Sequence, residues 1–439
     1  MKEDFAIQHP GSPRYRASLE WLARAEAVIP LGSQTFSKSR VALPWGVSPY
    51  FLERGQGSRV WDVDGNEYID FINALLAVSL GYRDPDVDAA VHEQMQNGVS
   101  FSLPHRLEAE VAEAIVEMVP CAELVRFAKN GSDATAGAIR LARACTGRDH
   151  VAVCGYHGWQ DWYIGSTTRD LGVPQATRTL THTFRYNDLL SLEQIFNDLP
   201  DSIAAVILEP MNTDWPKSGF LEGVAALTRR HGALLVFDEI ITGFRFALGG
   251  AQELFGVTPD LATFGKGLGN GYPISLITGR RKFMRRMEDI FFSFTFGGET
   301  LSLAASRAVL AKLRRNAVLD AIHARGQQLQ QGLEVLIKRH GVQHFTRVCG
   351  HPAWPFFVIL DIEPYTSLQL RTLYLQEMFA RGILVNAGHN LSYAHSVADI
   401  ETLLNAYDAV LPILGAAVAE RDLPARLHCE PLRPLFSVR

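Results

Sequence analysis

Short apolar runs recur through the middle of the chain, at 124–127, 151–153, 203–208, 234–237, 261–264 and 274–278, with helix-length segments between them. A strand that is apolar throughout has both faces buried, so these runs predict a mostly parallel sheet covered by helices on each side. The expected fold class is α/β.

Ahead of this region, Leu19, Leu22, Ala23, Ala27 and Val28 follow helical spacing until Pro30 ends it, which predicts a helix over 18–29. Residues 58–71 read as a β-hairpin. Arg59-Val-Trp-Asp and Glu67-Tyr-Ile-Asp flank a turn in which Gly65 and Asn66 tolerate positive φ. Helices are expected at 85–96 and 106–118. One long helical stretch over 301–340 then leads to strands at 356–360 and 383–386 and helices at 368–381 and 397–414, which suits a smaller α+β unit. Three segments are therefore expected: 1–80 as helix, hairpin and part of the small domain, 81–315 as the large α/β domain, and 316–439 as the C-terminal α+β domain. The proline-containing tail after Leu423 has no periodic pattern and is expected to be loosely held.

Charge and composition narrow the function classes. A net charge of −5, with both signs spread along the chain, offers no basic stripe to nucleic acid, so small molecules are the expected partners. The apolar stretches at 202–208 and 233–237 fall far short of the roughly 20 residues a membrane span needs, so no membrane association is expected. Residues 1–13 carry Lys2, Glu3, Asp4 and two prolines where a secretory signal would place an apolar core, which makes the cytoplasm the expected compartment. Cys121, Cys145, Cys154, Cys349 and Cys429 form neither a CxxC pair nor a zinc-spaced cluster with histidine, so reduced thiols and no metal site are expected.

The candidate chemistry lies where the strands end. Asp260-Leu-Ala-Thr-Phe-Gly-Lys266-Gly-Leu-Gly-Asn-Gly271 is a strand ending in a lysine among glycines, where a planar ligand can approach closely. Such a lysine suits Schiff-base formation, although a solvated lysine in a flexible loop has the same signature. A nucleotide phosphate loop is excluded, because Gly267 stands where Ser or Thr must follow its lysine.

Gly232-Ala-Leu-Leu-Val-Phe-Asp238 delivers a carboxylate to the C-terminal end of an apolar strand, the side on which open α/β sheets bind ligands. There Asp238 can keep a pyridine nitrogen protonated, or it can be a solvated or metal-binding aspartate. Glu239 reads as a structural polar contact. Ala128-Lys-Asn-Gly131-Ser132-Asp133 joins a strand to a helix start and makes either a phosphate cup or a plain N-cap. Val151-Ala-Val-Cys-Gly-Tyr156-His157-Gly158-Trp159 brings an aromatic ring to another strand end, to stack on a ligand ring or to fill the core.

Taken in order, these four segments resemble the class III aminotransferases of the fold-type I pyridoxal-phosphate enzymes, over residues 28–414. Val60-Trp-Asp-Val-Asp-Gly-Asn-Glu-Tyr-Ile-Asp70 and Thr242-Gly-Phe-Arg245 match the class as well. The chain looks closest to the group of glutamate-1-semialdehyde aminomutases and amino-sugar and aminoglycoside aminotransferases. The resemblance implies a large domain with a mostly parallel central sheet, a small α+β domain from the two chain ends, and pyridoxal 5'-phosphate as cofactor. It implies Lys266 as the lysine that carries the cofactor through a Schiff base and Asp238 as the partner of the pyridine nitrogen. Gly131 and Ser132 would hold the phosphate, Tyr156 and Ile240 would sandwich the ring, and His157 belongs to the aromatic-His-Gly signature beside it. Glu209, in Leu208-Glu-Pro210, matches a strand-end glutamate beside the cofactor. Thr295, in Phe294-Thr-Phe-Gly-Gly-Glu299, matches the threonine that reaches the phosphate of a partner subunit, which implies a homodimer with shared active sites.

Two departures bear on substrate. Asn130-Gly-Ser-Asp133 stands where the family more usually has Ser-Gly-Thr-Glu, and Gly297-Gly-Glu-Thr300 replaces the common Gly-Asn-Pro ending. They favour an aminotransferase that moves an amino group from an amino-acid donor to a carbonyl acceptor of carbohydrate-like or aminoglycoside type. Trp45, Trp159, Trp162 and Tyr163 can line a wide pocket for such an acceptor or pack in the core. Arg245 can pair with a donor carboxylate or with a structural acid. An intramolecular aminomutase of the glutamate-1-semialdehyde type is the alternative, and a catalytically silent binding relative a remote one.

Overall fold

In the turn after Asp62, its Oδ1 accepts hydrogen bonds from the N–H groups of Asp64 at 3.1 Å and Asn66 at 2.7 Å. Gly65, and not Asn66, takes positive φ, at +85°. This turn joins two strands of an antiparallel ladder of β1 (Leu52–Gln56), β2 (Arg59–Asp62) and β3 (Glu67–Asp70). β1 was not expected, since Leu52-Glu-Arg-Gly-Gln has a single apolar residue and no period-2 pattern. The structure, a computed structural model, describes residues 12–434. Among these, residues 74–321 form one unit, and the two chain ends, 12–73 and 322–434, form the other.

The unit of 74–321 contains seven strands: β4 (Leu124–Ala128), β5 (His150–Cys154), β6 (Thr181–Thr183), β7 (Ile203–Leu208), β8 (Leu234–Asp238), β9 (Leu261–Phe264) and β10 (Ser275–Gly279). Their order is β4-β10-β9-β8-β7-β5-β6, and β10 alone runs against its neighbours. All six predicted runs are strands of this sheet. β6 was missed because Thr181-His-Thr carries no apolar run and pairs only with β5 at the edge. Along β7, Ala205 and Ile207 pack with Leu141 and Trp162 on one face, while Val206 and Leu208 pack with Phe196 and Phe220 on the other. Burial on both faces is why that run is apolar at every position. Each fully buried Val, Ile or Leu contributes about 1.5–3 kcal/mol, so a charge placed on either face would cost a layer of the core. The packing leaves the C-terminal ends of β5, β7, β8 and β9 along one edge of the sheet, followed by Gly155, Glu209, Glu239 and Gly265.

In the unit of the chain ends, β11 (Thr346–His351) pairs with β12 (Trp354–Ile359), and β13 (Ile383–Leu384) joins β3 in parallel. The single helix expected over 301–340 is two, Thr300–Arg315 and Val318–Arg339. Asn316 breaks it with extended backbone, φ −116° and ψ 150°, in keeping with the weak helix preference of asparagine. As far as residue 434, the tail after Leu423 is held in place. Leu423 and Cys429 are buried, and the N–H groups of His428 and Leu432 donate to Gln376 Oε1 at 2.8 Å and Thr372 Oγ1 at 2.9 Å. Side-chain-to-backbone bonds of this kind leave no period in a sequence. Helix Val397–Ala419 is long and apolar enough to cross a membrane by length and composition. Its Ile400, Leu403, Tyr407, Val410, Leu411 and Leu414 are buried within this unit, which gives the apolar run a packing reason.

Candidate active site

β9 ends in buried Thr263 and Phe264, and the backbone then turns so that Lys266 sits at φ +43°. That left-handed conformation costs a non-glycine residue about 1–2 kcal/mol, so the surroundings must hold it. They do so from two sides. Asn270 Oδ1 accepts from Leu80 N–H at 2.8 Å and its Nδ2 donates to Gly81 O at 3.0 Å, while a Cβ on Gly267 would lie 2.3 Å from Ser79 Oγ. The Lys266 amine makes no hydrogen bond or ion pair among the described residues. Burial pulls its proton affinity below that of an ordinary lysine, Asp238 and Glu209 oppose the shift, and Arg245 adds to it.

Asp238, at the end of the neighbouring β8, is 4% exposed and fully engaged. Its Oδ2 is 2.7 Å from His157 Nδ1, and its Oδ1 accepts from Thr263 Oγ1 and from Ile240 N–H, both at 3.2 Å. His157 is itself buried, with Nε2 3.2 Å from Cys154 O. The carboxylate is therefore held on three sides. The His157–Asp238 contact joins residues 81 positions apart, which no local spacing could reveal.

The helix Gly131–Thr146 begins beside β4, with Asn130 N–H donating to Asp133 Oδ2 at 2.8 Å. The N-cap leaves Ser132 Oγ facing the segment after β5. The hydroxyl accepts from Trp159 N–H at 3.3 Å, and a Cβ on Gly158 would lie 2.3 Å from it. Thr135 Oγ1 donates to His157 O at 2.7 Å and completes the seam. Ile240 lies between the two glycine turns: a Cβ on Gly131 would come within 3.3 Å of its side chain and one on Gly265 within 3.1 Å. Tyr156, half-exposed, stands edge-on to buried Tyr163, ring centres 5.7 Å apart at 90°.

Glu209 is buried after β7, where its Oε2 accepts from Tyr156 N–H at 3.0 Å and from Asn212 Nδ2 at 3.2 Å. Burial, and then Asp238, raise its pKa. Glu239 is structural, as expected. It accepts from Thr242 Oγ1 at 2.5 Å and from the N–H groups of Ala251 and Gln252 at the start of the helix Ala251–Phe255. Trp162 and Tyr163, read as possible pocket wall, are instead buried beneath His157, whereas Trp159 is exposed. Thr295 is exposed in the turn before the helix Thr300–Arg315, whose cap Glu299 pairs with Lys129 at 2.9 Å.

The structure thus brings Lys266, Asp238, His157, Tyr156, Glu209, Ile240, Gly131 and Ser132 to one end of the sheet, and leaves Thr295 on the surface. Pyridoxal phosphate suits this donor set. A helix start with a hydroxyl and backbone N–H groups can take a phosphate, a buried carboxylate can take a protonated ring nitrogen, a free amine can take an aldehyde, and the glycines leave room for a flat ring.

Comparison with known proteins agrees. The pattern of the class-III aminotransferases matches residues 42–393. The chain is 36% identical over 394 residues to 3-aminobutyryl-CoA aminotransferase of Cloacimonas acidaminovorans, covering 87% of this chain and 94% of that protein. It is 36% identical over 417 residues to glutamate-1-semialdehyde 2,1-aminomutase 2 of Brevibacillus brevis, covering 89% and 96%. Among solved structures, the PLP internal aldimine form of the FumI protein of Sphingopyxis sp. MTA144 superposes with a TM-score of 0.85 at 32% identity, over 94% of this chain and 98% of that one. The chain belongs to the class-III aminotransferase family, pyridoxal-phosphate enzymes of fold type I.

Proposed function

We propose that this enzyme is an intermolecular aminotransferase, with an amino acid as donor and a polar, carbohydrate-like carbonyl compound as acceptor. The observation that carries the chemistry is Lys266, an amine with lowered proton affinity and no hydrogen-bond partner among the described residues, beside the buried Asp238.

Bound pyridoxal phosphate supplies an aldehyde that takes up amines and a ring that accepts electrons released at a substrate Cα. Lys266 would hold the cofactor through that aldehyde, and its amine, when free, would carry the proton leaving the substrate Cα. Asp238 would keep the pyridine nitrogen protonated, with His157 and Thr263 keeping Asp238 in place. Gly131, Ser132 and the N–H groups of the helix start would bind the phosphate; Tyr156 and Ile240 would enclose the ring; Glu209 fixes the Tyr156 backbone. We also infer a homodimer in which Thr295 of one subunit reaches the phosphate held by the other. Its support is the exposed Thr295 flanked by Phe294, 39% exposed, and Phe296, 59% exposed, apolar surface that a second copy would cover.

The sugar-like acceptor rests on Trp159, whose ring is exposed, and on the residues at 130–133 and 297–300. A second reading, the intramolecular aminomutase, is favoured by the relative from Brevibacillus brevis. Glutamate 1-semialdehyde alone, and separately an amino-acid donor with amino-sugar or aminoglycoside aldehydes, would be followed by mass spectrometry. Transfer between separate molecules is expected. Conversion of the semialdehyde to its amino-shifted isomer, with no transfer between molecules, would establish the aminomutase instead.

A further inference from the structure

Thr295 stands at the tip of a β-turn. Gly297 N–H donates to Phe294 O at 3.1 Å, which makes Thr295 and Phe296 its central residues, and Glu299 N–H donates to Phe296 O at 3.2 Å. Phe291, Phe294, Thr295 and Phe296 are all exposed, so the stretch has little core of its own. A surface segment of this kind loses conformational entropy on docking unless it is ordered beforehand.

Both ends of the stretch are fastened, and both to the elements that carry Gly131 and Ser132. At the entry, Arg140 Nη1, on the helix Gly131–Thr146, donates to Phe291 O at 2.8 Å, and Arg126 Nη2, on β4, donates to Phe292 O at 3.0 Å. The Phe292 ring is buried against the same helix: a Cβ on Gly137 would lie 2.4 Å from its Cε2, and the ring stands edge-on to Phe294 at 4.9 Å. At the exit, Lys129 Nζ donates to Glu299 Oε2 at 2.9 Å. Lys129 directly precedes Asn130-Gly131-Ser132, and Glu299 caps the helix Thr300–Arg315, accepting from Leu301 N–H at 2.6 Å. The side chains of this pair are only 16% and 13% exposed, so water screens it less than an ordinary surface pair.

We propose that Lys129 and Arg140 are positioning residues for Thr295: they clasp the two ends of its turn to the scaffold of their own chain's phosphate site, and so hold the hydroxyl ordered for the phosphate bound by a second copy. This rests on the reading that Thr295 serves the phosphate of the partner subunit. Neither clasping side chain has to touch the cofactor. The rival role for Lys129, so near Gly131, is to attract the phosphate of its own chain directly. The two differ in one respect. A lesion in the clasp acts only through Thr295, whereas the loss of a direct attraction is felt whether or not Thr295 is present.

A double-mutant cycle on the full chain separates them. Pyridoxal phosphate is titrated into cofactor-free protein, and its dissociation constant is read from the absorbance of the bound cofactor. Thr295→Ala should weaken binding on the order of tenfold, and Lys129→Met about fivefold. The double variant should be weakened about tenfold, no more than Thr295→Ala alone. Lys129→Met with the original affinity, or a double variant weakened by the product of about fiftyfold, would overturn the proposal. If Lys129→Met does not fold, Arg140→Ala, a change on the exposed face of its helix, takes its place in the cycle under the same two criteria. The reading of Thr295 fails separately: Thr295→Ala with wild-type affinity would leave the clasp no hydroxyl to position.

Discussion

His157 Nδ1 lies 2.7 Å from Asp238 Oδ2, and both side chains are closed to solvent. A carboxylate that must stay opposite a ring nitrogen needs its direction fixed, and outer-shell partners of this kind commonly set it. His157→Phe keeps the ring volume and removes the bond, while Thr263 and Ile240 still hold the other oxygen. We expect kcat to fall about 10–100-fold with cofactor retained. Asp238→Asn should fall much further, because a neutral amide cannot keep the ring nitrogen protonated. Steady-state rates and the cofactor absorbance check both. An unchanged kcat in His157→Phe would reduce the histidine to packing.

How much of this was legible in the sequence depends on the range of the contact. The strands around β7 could be read because burial on both faces makes every position apolar, and Lys266, Asp238 and the cup because each closes a strand. β1 and β6 were not legible, since an edge strand needs no apolar run. The contacts that join the site, His157 to Asp238 and Glu209 to Tyr156, span 81 and 53 positions. Their residues stand out in the sequence; their pairing does not. Trp162 shows the converse, an aromatic that suits a pocket wall by type and is core by position.

Stability away from the site can be tested at Lys312, whose Nζ binds Asp84 Oδ2 at 2.6 Å and Asp86 Oδ2 at 3.1 Å. Asp84 caps the helix Pro85–Asn97 and is nearly buried, so removing its cation leaves an uncompensated charge. Lys312→Met should cost about 3–5 kcal/mol in unfolding free energy and leave turnover per folded molecule unchanged. The pH dependence has a definite sign. Lys312 holds the Asp86 carboxyl below its ordinary 3.8, so that contribution is present above 3.8 and lost as pH falls. Burial draws the Lys312 ammonium down, but the two carboxylates outweigh it and leave it above its ordinary 10.5; that contribution is present below 10.5 and lost as pH rises further. Denaturation of wild type and variant should therefore differ by a constant amount between these limits and converge outside them.

Lys266 carries the most direct chemical test. Only an imine to its amine gives a stable secondary amine on borohydride reduction, so the labelled peptide should contain Lys266. Lys266→Ala should still bind the cofactor through phosphate and ring contacts, yet lose turnover. Label on any other lysine would sink the assignment.

The proposed sharing of the active site between subunits makes a prediction that no property of one subunit could mimic. If Thr295 serves the phosphate held by the partner subunit, lesions at Lys266 and Thr295 act on the same site of the dimer when they are on different chains, and on different sites when they are on the same chain. Thr295→Glu places a negative charge where a dianion must bind and should abolish turnover at limiting cofactor, as Lys266→Ala does. In a hybrid dimer with one lesion on each chain, one site carries both lesions. The other site has the intact Lys266 of one chain and the intact Thr295 of the other. Unfolding and refolding an equal mixture of the two inactive variants gives hybrids as about half of all dimers, and so should restore about one quarter of wild-type activity. Recovery on mixing, read by a turnover assay at low cofactor, is the expected result. If each variant is inactive and the refolded mixture stays inactive although hybrid dimers are found by mass, then Thr295 serves its own subunit.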